Sequence, residues 1–185
     1  MDEPYRSNGD DPARICSVAA SPPKPAAPSV SVRRATVRDL DAVVALRLAL
    51  LREHASNPIY RRLASDVTAR ARRLFARQLE SPGEITLLAE RDGAIVGILR
   101  CVESSGSPLL SPEQYAYVSS VYVDPAVRRM GVLRALLERA EAWARSVGLD
   151  EFRLHSVAEG EAANRAWDAL GFEIVEHLRV RPVDR

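Results

Sequence analysis

The stretch Val121-Tyr122-Val123-Asp124-Pro125-Ala126-Val127-Arg128-Arg129-Met130-Gly131-Val132-Leu133-Arg134-Ala135-Leu136-Leu137 decides the fold. Its first residues are strand formers, and Asp124-Pro125 closes the strand because proline brings no N–H to a ladder. Two arginines and a glycine then lead into apolar residues at helical spacing. The reading is a strand, a tight turn, and a helix that begins at a glycine. The first amides of a helix have no carbonyl partner, and the helix dipole adds positive potential there. Glycine allows close backbone approach to a ligand, and Arg128, Arg129 and Arg134 can add charge toward phosphates. Such a turn can cradle a pyrophosphate. Taken alone, the window reads equally well as a plain turn with a solvated basic rim.

Downstream, residues 131–147 put Leu133, Leu136, Leu137, Ala140, Trp143, Ala144 and Val147 on one helix face, with Gly148 as C-cap. A strand over 152–157, a short helix over 161–170 ending at Gly171, and a last strand over 172–180 follow. Upstream, a strand over 30–37 leads to a helix capped within Thr36–Asp39 and broken by Asn57-Pro58. A second helix is expected over 60–79, stopped by Ser81-Pro82-Gly83. Strands over 84–90 and 94–102 are joined by Arg91-Asp92-Gly93, a hairpin signal. A loop over 104–112 and a strand over 115–123 complete the order β-α-α-β-β-β-α-β-α-β. This predicts a single mixed α/β domain over 30–185: an antiparallel front half, then a crossover helix. Residues 1–29, rich in Pro, Ala and Ser, read as a disordered tail.

Composition removes several mechanisms. Of the 26 basic residues only Lys24 is lysine, and it lies in the tail, so Schiff-base, lysine-nucleophile and phosphate-loop chemistry are excluded. Cys16 and Cys101 fall in no metal or redox spacing and suit a reducing, cytoplasmic setting. His54, His155 and His177 form no ligand pattern, so no metal is expected. A net charge of +1 gives no field toward nucleic acid or membrane, and no run is long and apolar enough to span a bilayer. The acidic N-terminus is not a signal peptide.

The turn resembles the pyrophosphate motif Q/R-x-x-G-x-G/A of the GNAT superfamily of N-acetyltransferases, with Arg128 and Gly131 at its first and fourth positions and Leu133 departing at the sixth. Ala162-Ala163-Asn164-Arg165-Ala166-Trp167-Asp168-Ala169-Leu170-Gly171-Phe172 resembles the family's late helix ending in Leu-Gly-Phe. The resemblance covers everything but the tail. It implies a central, mostly antiparallel sheet of about six to seven strands whose fourth and fifth strands splay apart, flanked by four helices. It further implies acetyl-CoA as co-substrate. Backbone groups of Val121, Tyr122 and Val123 would bond the pantetheine arm. Amides of Arg129, Met130, Gly131, Val132, Leu133 and Arg134 would hold the pyrophosphate, with Arg128 beside them. An amine of a small molecule or peptide would attack the thioester directly, and a homodimer is open.

Two positions depart from the family. Trp167 stands where members often carry a tyrosine that protonates the departing thiolate, and indole cannot do so. Gly160 stands where an asparagine is frequent, and Asn164, one turn nearer, can take over its hydrogen bond. The amine must lose a proton, which calls for a base. Candidates at the start of the fourth strand are Glu113, Tyr115 and Tyr117, with Glu103 on the third and His155 on the fifth. Glu113 and Tyr117 are the preferred pair. Each read alone is more often a surface carboxylate or a core-edge tyrosine.

The stretch 52–80 holds seven arginines against Glu53, Asp66 and Glu80, which reads first as a solvated face and second as a site for an acceptor bearing a carboxylate or phosphate. Trp167 and Gly160 also motivate a competing reading, a non-catalytic acyl-CoA-binding sensor. A nucleic-acid-binding reading of the arginines is disfavoured by near-zero net charge and 5% aromatic content.

Overall fold

The computed structural model describes residues 30–183, so the reading of 1–29 as a tail lies outside the described residues. Five strands form one sheet in the order β1 (Ser31–Arg34), β2 (Glu84–Arg91), β3 (Ala94–Ser105), β4 (Gln114–Val123) and β5 (Phe152–Leu154). Pairing is antiparallel except between β4 and β5, which run parallel. The helices are α1 (Leu40–Glu53), α2 (Val67–Glu80), α3 (Val132–Ser146) and α4 (Glu161–Asp168). Among the described residues no helix is long and apolar enough to cross a membrane.

Each face of the sheet buries its own core, because successive strand residues point to opposite sides. Leu87, Ala89, Leu99, Cys101 and Val118 pack under Val132, Leu136, Ala140 and Trp143 of α3. Leu88 and Ile98 pack on the other side under Val43, Val44 and Leu48 of α1 and Phe75 and Leu79 of α2. Gly97 brings α3 close to the sheet: a Cβ there would stand 3.1 Å from Val132 Cγ1 and 3.3 Å from the Tyr122 carbonyl. The contact fixes the first turn of α3 against β3. Both late helices end as expected at left-handed glycines, Gly148 (φ 80) and Gly171 (φ 86). Leu149 N–H donates to Ala144 O, and Phe172 N–H to Trp167 O, closing a Schellman pair at each end.

Three expectations need correction. The sheet has five strands, not six or seven, and residues 172–180 form no strand. Their alternation of Phe172, Ile174, Leu178 and Val180 is broken by Glu176, and among the described residues no neighbouring strand takes their backbone groups. Ile174, Val175 and Leu178 are left 68%, 86% and 70% exposed. Alternation proposes a strand, but only a paired edge makes one. Likewise α2 starts at Val67 rather than near residue 60. The apolar positions that bury begin with Val67, and the preceding turns expose Ile59 and Leu63, so nothing there offsets helix nucleation.

Candidate active site

The turn after β4 is built to present amides. Asp124 stops the strand, and its carboxylate accepts from Ala126 N–H at 2.9 Å, shaping the 3₁₀ turn Pro125–Val127. Arg129 (φ 65) and Gly131 (φ 83) are both left-handed and bracket Met130, which turns the chain into a concave nest before α3 begins. Ala135 N–H is the first to reach back, to Gly131 O at 3.0 Å. The six amides of Arg129 through Arg134 donate to no acceptor among the described residues. Nothing stands within 4 Å of a Cβ built on Gly131, so conformation alone calls for glycine there. Arg128 does not point along this nest. Its Nε donates to Val123 O at 2.9 Å, its Nη2 to Glu53 at 2.6 Å, and its guanidinium lies 5.8 Å from the centre of the Tyr122 ring. The Glu53 carboxylate raises its already high pKa.

β4 and β5 pair only at Ala116–Val118 with Phe152–Leu154. Beyond Val118 the strands part, and among the described residues Ser119 through Val123 have no strand partner on that side. A bulge marks the opening. Ile98 pairs with Tyr122 and Arg100 with Ser119, so Ser120 and Val121 together oppose Leu99, with Ser120 left-handed at φ 54. The free edge therefore runs into the amide nest through the Asp124 turn.

On the α1 side of the opening, Tyr117 and His155 meet. The Tyr117 hydroxyl lies 2.7 Å from His155 Nδ1, with the rings edge to face at 5.7 Å. Burial pushes the Tyr117 phenol pKa up, which keeps its proton on. Two residues back along each chain segment, Arg153 covers the Tyr115 ring at 4.0 Å and pairs with Glu151. Arg100 is ion-paired to buried Glu84 and donates to Ser119 Oγ at 3.2 Å.

Of the sequence-predicted residues, Glu113 is exposed, and its carboxylate takes no hydrogen bond among the described residues. Tyr117 faces the opening with a partner that the preferred pairing missed. Part of the signal was present: period two places Tyr115, Tyr117 and Arg153 on one face once Tyr117 is set opposite Arg153, but β5 ends at Leu154 rather than 157, so His155 stands just past the strand and not on it. Asn164 Nδ2 donates to Val157 O and Ala158 O, at 3.1 and 3.2 Å, and so ties the loop after β5 to α4. Trp167 packs edge-to-face on Phe172 at 5.3 Å. Cys101 is buried, and burial pushes its thiol up to about 12, which makes it inert. Among the described residues no three metal-ligating side chains gather.

Residues 48–172 match the model of the Acetyltransferase (GNAT) family. An aminoglycoside N(6')-acetyltransferase type 1 of Acinetobacter genomosp. 13 is 32% identical over 63 residues, which cover 34% of this chain and 43% of that protein. The protein of the same name from Stenotrophomonas maltophilia is 29% identical over 152 residues, 80% of this chain and 89% of the relative. The chain thus spans less than half of the first relative and most of the second. A predicted acetyltransferase from Clostridium acetobutylicum, solved with acetyl-CoA, shares the fold at a TM-score of 0.68 and 17% identity, over 83% of this chain and 96% of that one.

Proposed function

Because the chain belongs to the acetyltransferase (GNAT) family, we propose that it transfers an acetyl group from acetyl-CoA to the primary amine of a small molecule. The observation that carries the reading is the run of unpaired amides from Arg129 to Arg134 at the end of a strand with a free edge. Amides and a helix N-terminus suit a pyrophosphate, and the free edge of Val121, Tyr122 and Val123 suits the amides of pantetheine. Asn164 and Trp167 belong to this cofactor side, with Asn164 acting as a positioning residue that holds the second lip of the opening.

In the reaction the amine nitrogen attacks the thioester carbonyl carbon. The C–N bond forms, the C–S bond breaks, and CoA leaves as a thiolate that takes a proton from water. The proton lost by nitrogen passes through Tyr117 to His155, whose other ring nitrogen returns it to solvent. Glu113, exposed and unpartnered, stands outside this relay. Trp167, which has no ionisable hydroxyl, keeps a second reading alive, an acyl-CoA-binding sensor without turnover. A homodimer accords with the apolar side chains exposed over residues 172–183, and sedimentation at rising concentration tests it.

The deciding experiment is calorimetric titration with acetyl-CoA, followed by a thiol-release assay over a panel of amines. Micromolar binding with turnover supports the transferase. Binding with no turnover supports the sensor, and no binding removes both. The relatives are named for aminoglycosides, which are polycations, and the charges around this chain's acceptor side speak for a different class.

A further inference from the structure

Resting on the acetyl-transfer reading, we propose that the acceptor is an amine that also carries an anionic group, a carboxylate or a phosphate, held by Arg47 with Arg73 and Arg77 in the cleft between α1 and α2. The cleft has a volume of about 400 Å³. Four arginines line it, Arg47, Arg70, Arg73 and Arg77, and no carboxylate does.

The ion pairs around the cleft do not neutralise it. Arg72, on the same helix, turns away to Asp41. Arg70 bonds Asp66 at 2.5 Å, and Arg73 reaches the same carboxylate only at 3.9 Å. One Asp66 is therefore shared by two arginines, and Arg47 and Arg77 have no carboxylate partner among the described residues. Arg77 is exposed, and water solvates it. Arg47 is half-buried on α1, where desolvation lowers its pKa. The groups in electrostatic reach of it are the phenols of Tyr60 and Tyr117 and a second cation, Arg100, already paired to Glu84. A half-buried cation short of counter-charge is costly, and nothing in the fold repays it. An anionic ligand does.

Arg47 also joins the two regions. It lines the cleft and is in electrostatic reach of the Tyr117 phenol, whose hydroxyl belongs to the proposed relay. With its anion on Arg47, such an acceptor would extend its amine across a carbon spacer toward Tyr117. Leu51, Val67, Leu74 and Phe75 give that spacer an apolar wall. A polycation in the same place would meet uncompensated positive charge.

The test uses the full chain, saturating acetyl-CoA and matched amines that differ only in the anion: phenylalanine against phenethylamine, and phosphoethanolamine against ethanolamine, with spermidine as polycation. We expect the anionic member of at least one pair to be favoured roughly tenfold or more in kcat/KM, the scale of one charged hydrogen bond. Which pair responds distinguishes carboxylate from phosphate. In Arg47→Gln that preference collapses while the Tm rises, since an uncompensated cation has been removed. A merely structural arginine would lower the Tm instead. Arg77→Gln, on the exposed face of α2, should weaken the same preference and keeps the test alive if Arg47→Gln folds poorly. Equal rates within both pairs, or preference for spermidine, overturns the proposal. Absence of acetyl-CoA binding by calorimetry is a separate outcome that overturns the transferase reading beneath it.

Discussion

Arg128 sets its Nη2 2.6 Å from Glu53 and its Nε 2.9 Å from the Val123 carbonyl, so the arginine at the head of the turn holds α1 to the end of β4. Its charge is spent on position. Were Arg128 a phosphate ligand, neutralising Glu53 would free it and tighten acetyl-CoA binding. We expect the opposite sign. Both side chains are about two-fifths exposed, so the pair is weak. Glu53→Gln should raise the acetyl-CoA Kd by about two- to fivefold, the range of an exposed ion pair. Calorimetry on the variant checks the sign, and a tighter Kd would return Arg128 to the phosphates.

Gly131 makes a sharper prediction, because φ 83 with no neighbour within 4 Å separates conformation from space. Alanine there pays the left-handed penalty of about 1–2 kcal/mol or distorts the nest. Asparagine, which visits that region more readily, should be milder. Acetyl-CoA affinity should therefore fall in the order glycine, asparagine, alanine. Glutamate, which adds a charge facing the phosphates, should abolish binding while the Tm moves little more than in the alanine variant. If all three variants bind alike, the nest is not the cradle.

The Tyr117–His155 contact at 2.7 Å is the step on which the proposed proton relay depends. Tyr117→Phe and His155→Gln should each lower kcat by roughly a hundredfold, the lower range for positioned proton transfer, with the acetyl-CoA KM unchanged. Because the two act as a unit, the double variant should be no worse than the weaker single one. Additive losses would show two independent roles. Burial raises the Tyr117 pKa, so the phenol stays protonated through neutral pH, and its ionisation should not appear as a limb of the pH–rate profile below pH 10.

What was legible in the sequence was local. Gly131, Gly148 and Gly171 all stand at left-handed φ near 80–90°, where the helix boundaries place them. The Arg91–Gly93 turn and the strands on either side of it were equally readable, because a turn needs only its own residues. What failed depended on partners. Residues 172–180 alternate well enough to read as a strand, yet no edge receives them. His155 was read singly because parallel register with β4 is a tertiary fact. The arginine-rich stretch from Arg52 onward reads first as a solvated face, which holds for exposed Arg72, and second as a site for an anionic acceptor. Arg47 lay outside that window, since a sequence shows charges and not which of them lack a counter-charge.

The N-terminal lock of the fold gives a stability prediction with a definite pH window. Arg33 grips both oxygens of Asp39 at 2.8 Å and bonds Glu90 at 2.7 Å, while Thr36 N–H donates to the same Asp39 carboxylate at 2.8 Å. The Arg33 hydrogen bonds, opposed by partial burial, hold the Asp39 carboxyl well below the usual carboxylate range. The folded chain thus binds this proton less readily than the unfolded one, whose aspartate titrates near 3.8. Its contribution to stability is full above about pH 5 and is lost as the pH falls through and below 4. The Arg33 pKa is raised from an already high value, so it adds no pH dependence in the accessible range. The Asp39 side chain is only 12% exposed but Arg33 is 41% exposed, so solvent screens the pair in part and the expected cost is set below what the shift alone would give. Asp39→Asn should therefore cost about 2 kcal/mol at pH 7, seen as a Tm lower by roughly 4–8 °C, and clearly less at pH 2, where the unfolded chain already holds this proton. Thermal unfolding of both proteins from pH 7 down to pH 2 checks this. Parallel curves, with the same Tm gap at every pH, would mean that Asp39 acts by packing and not by charge.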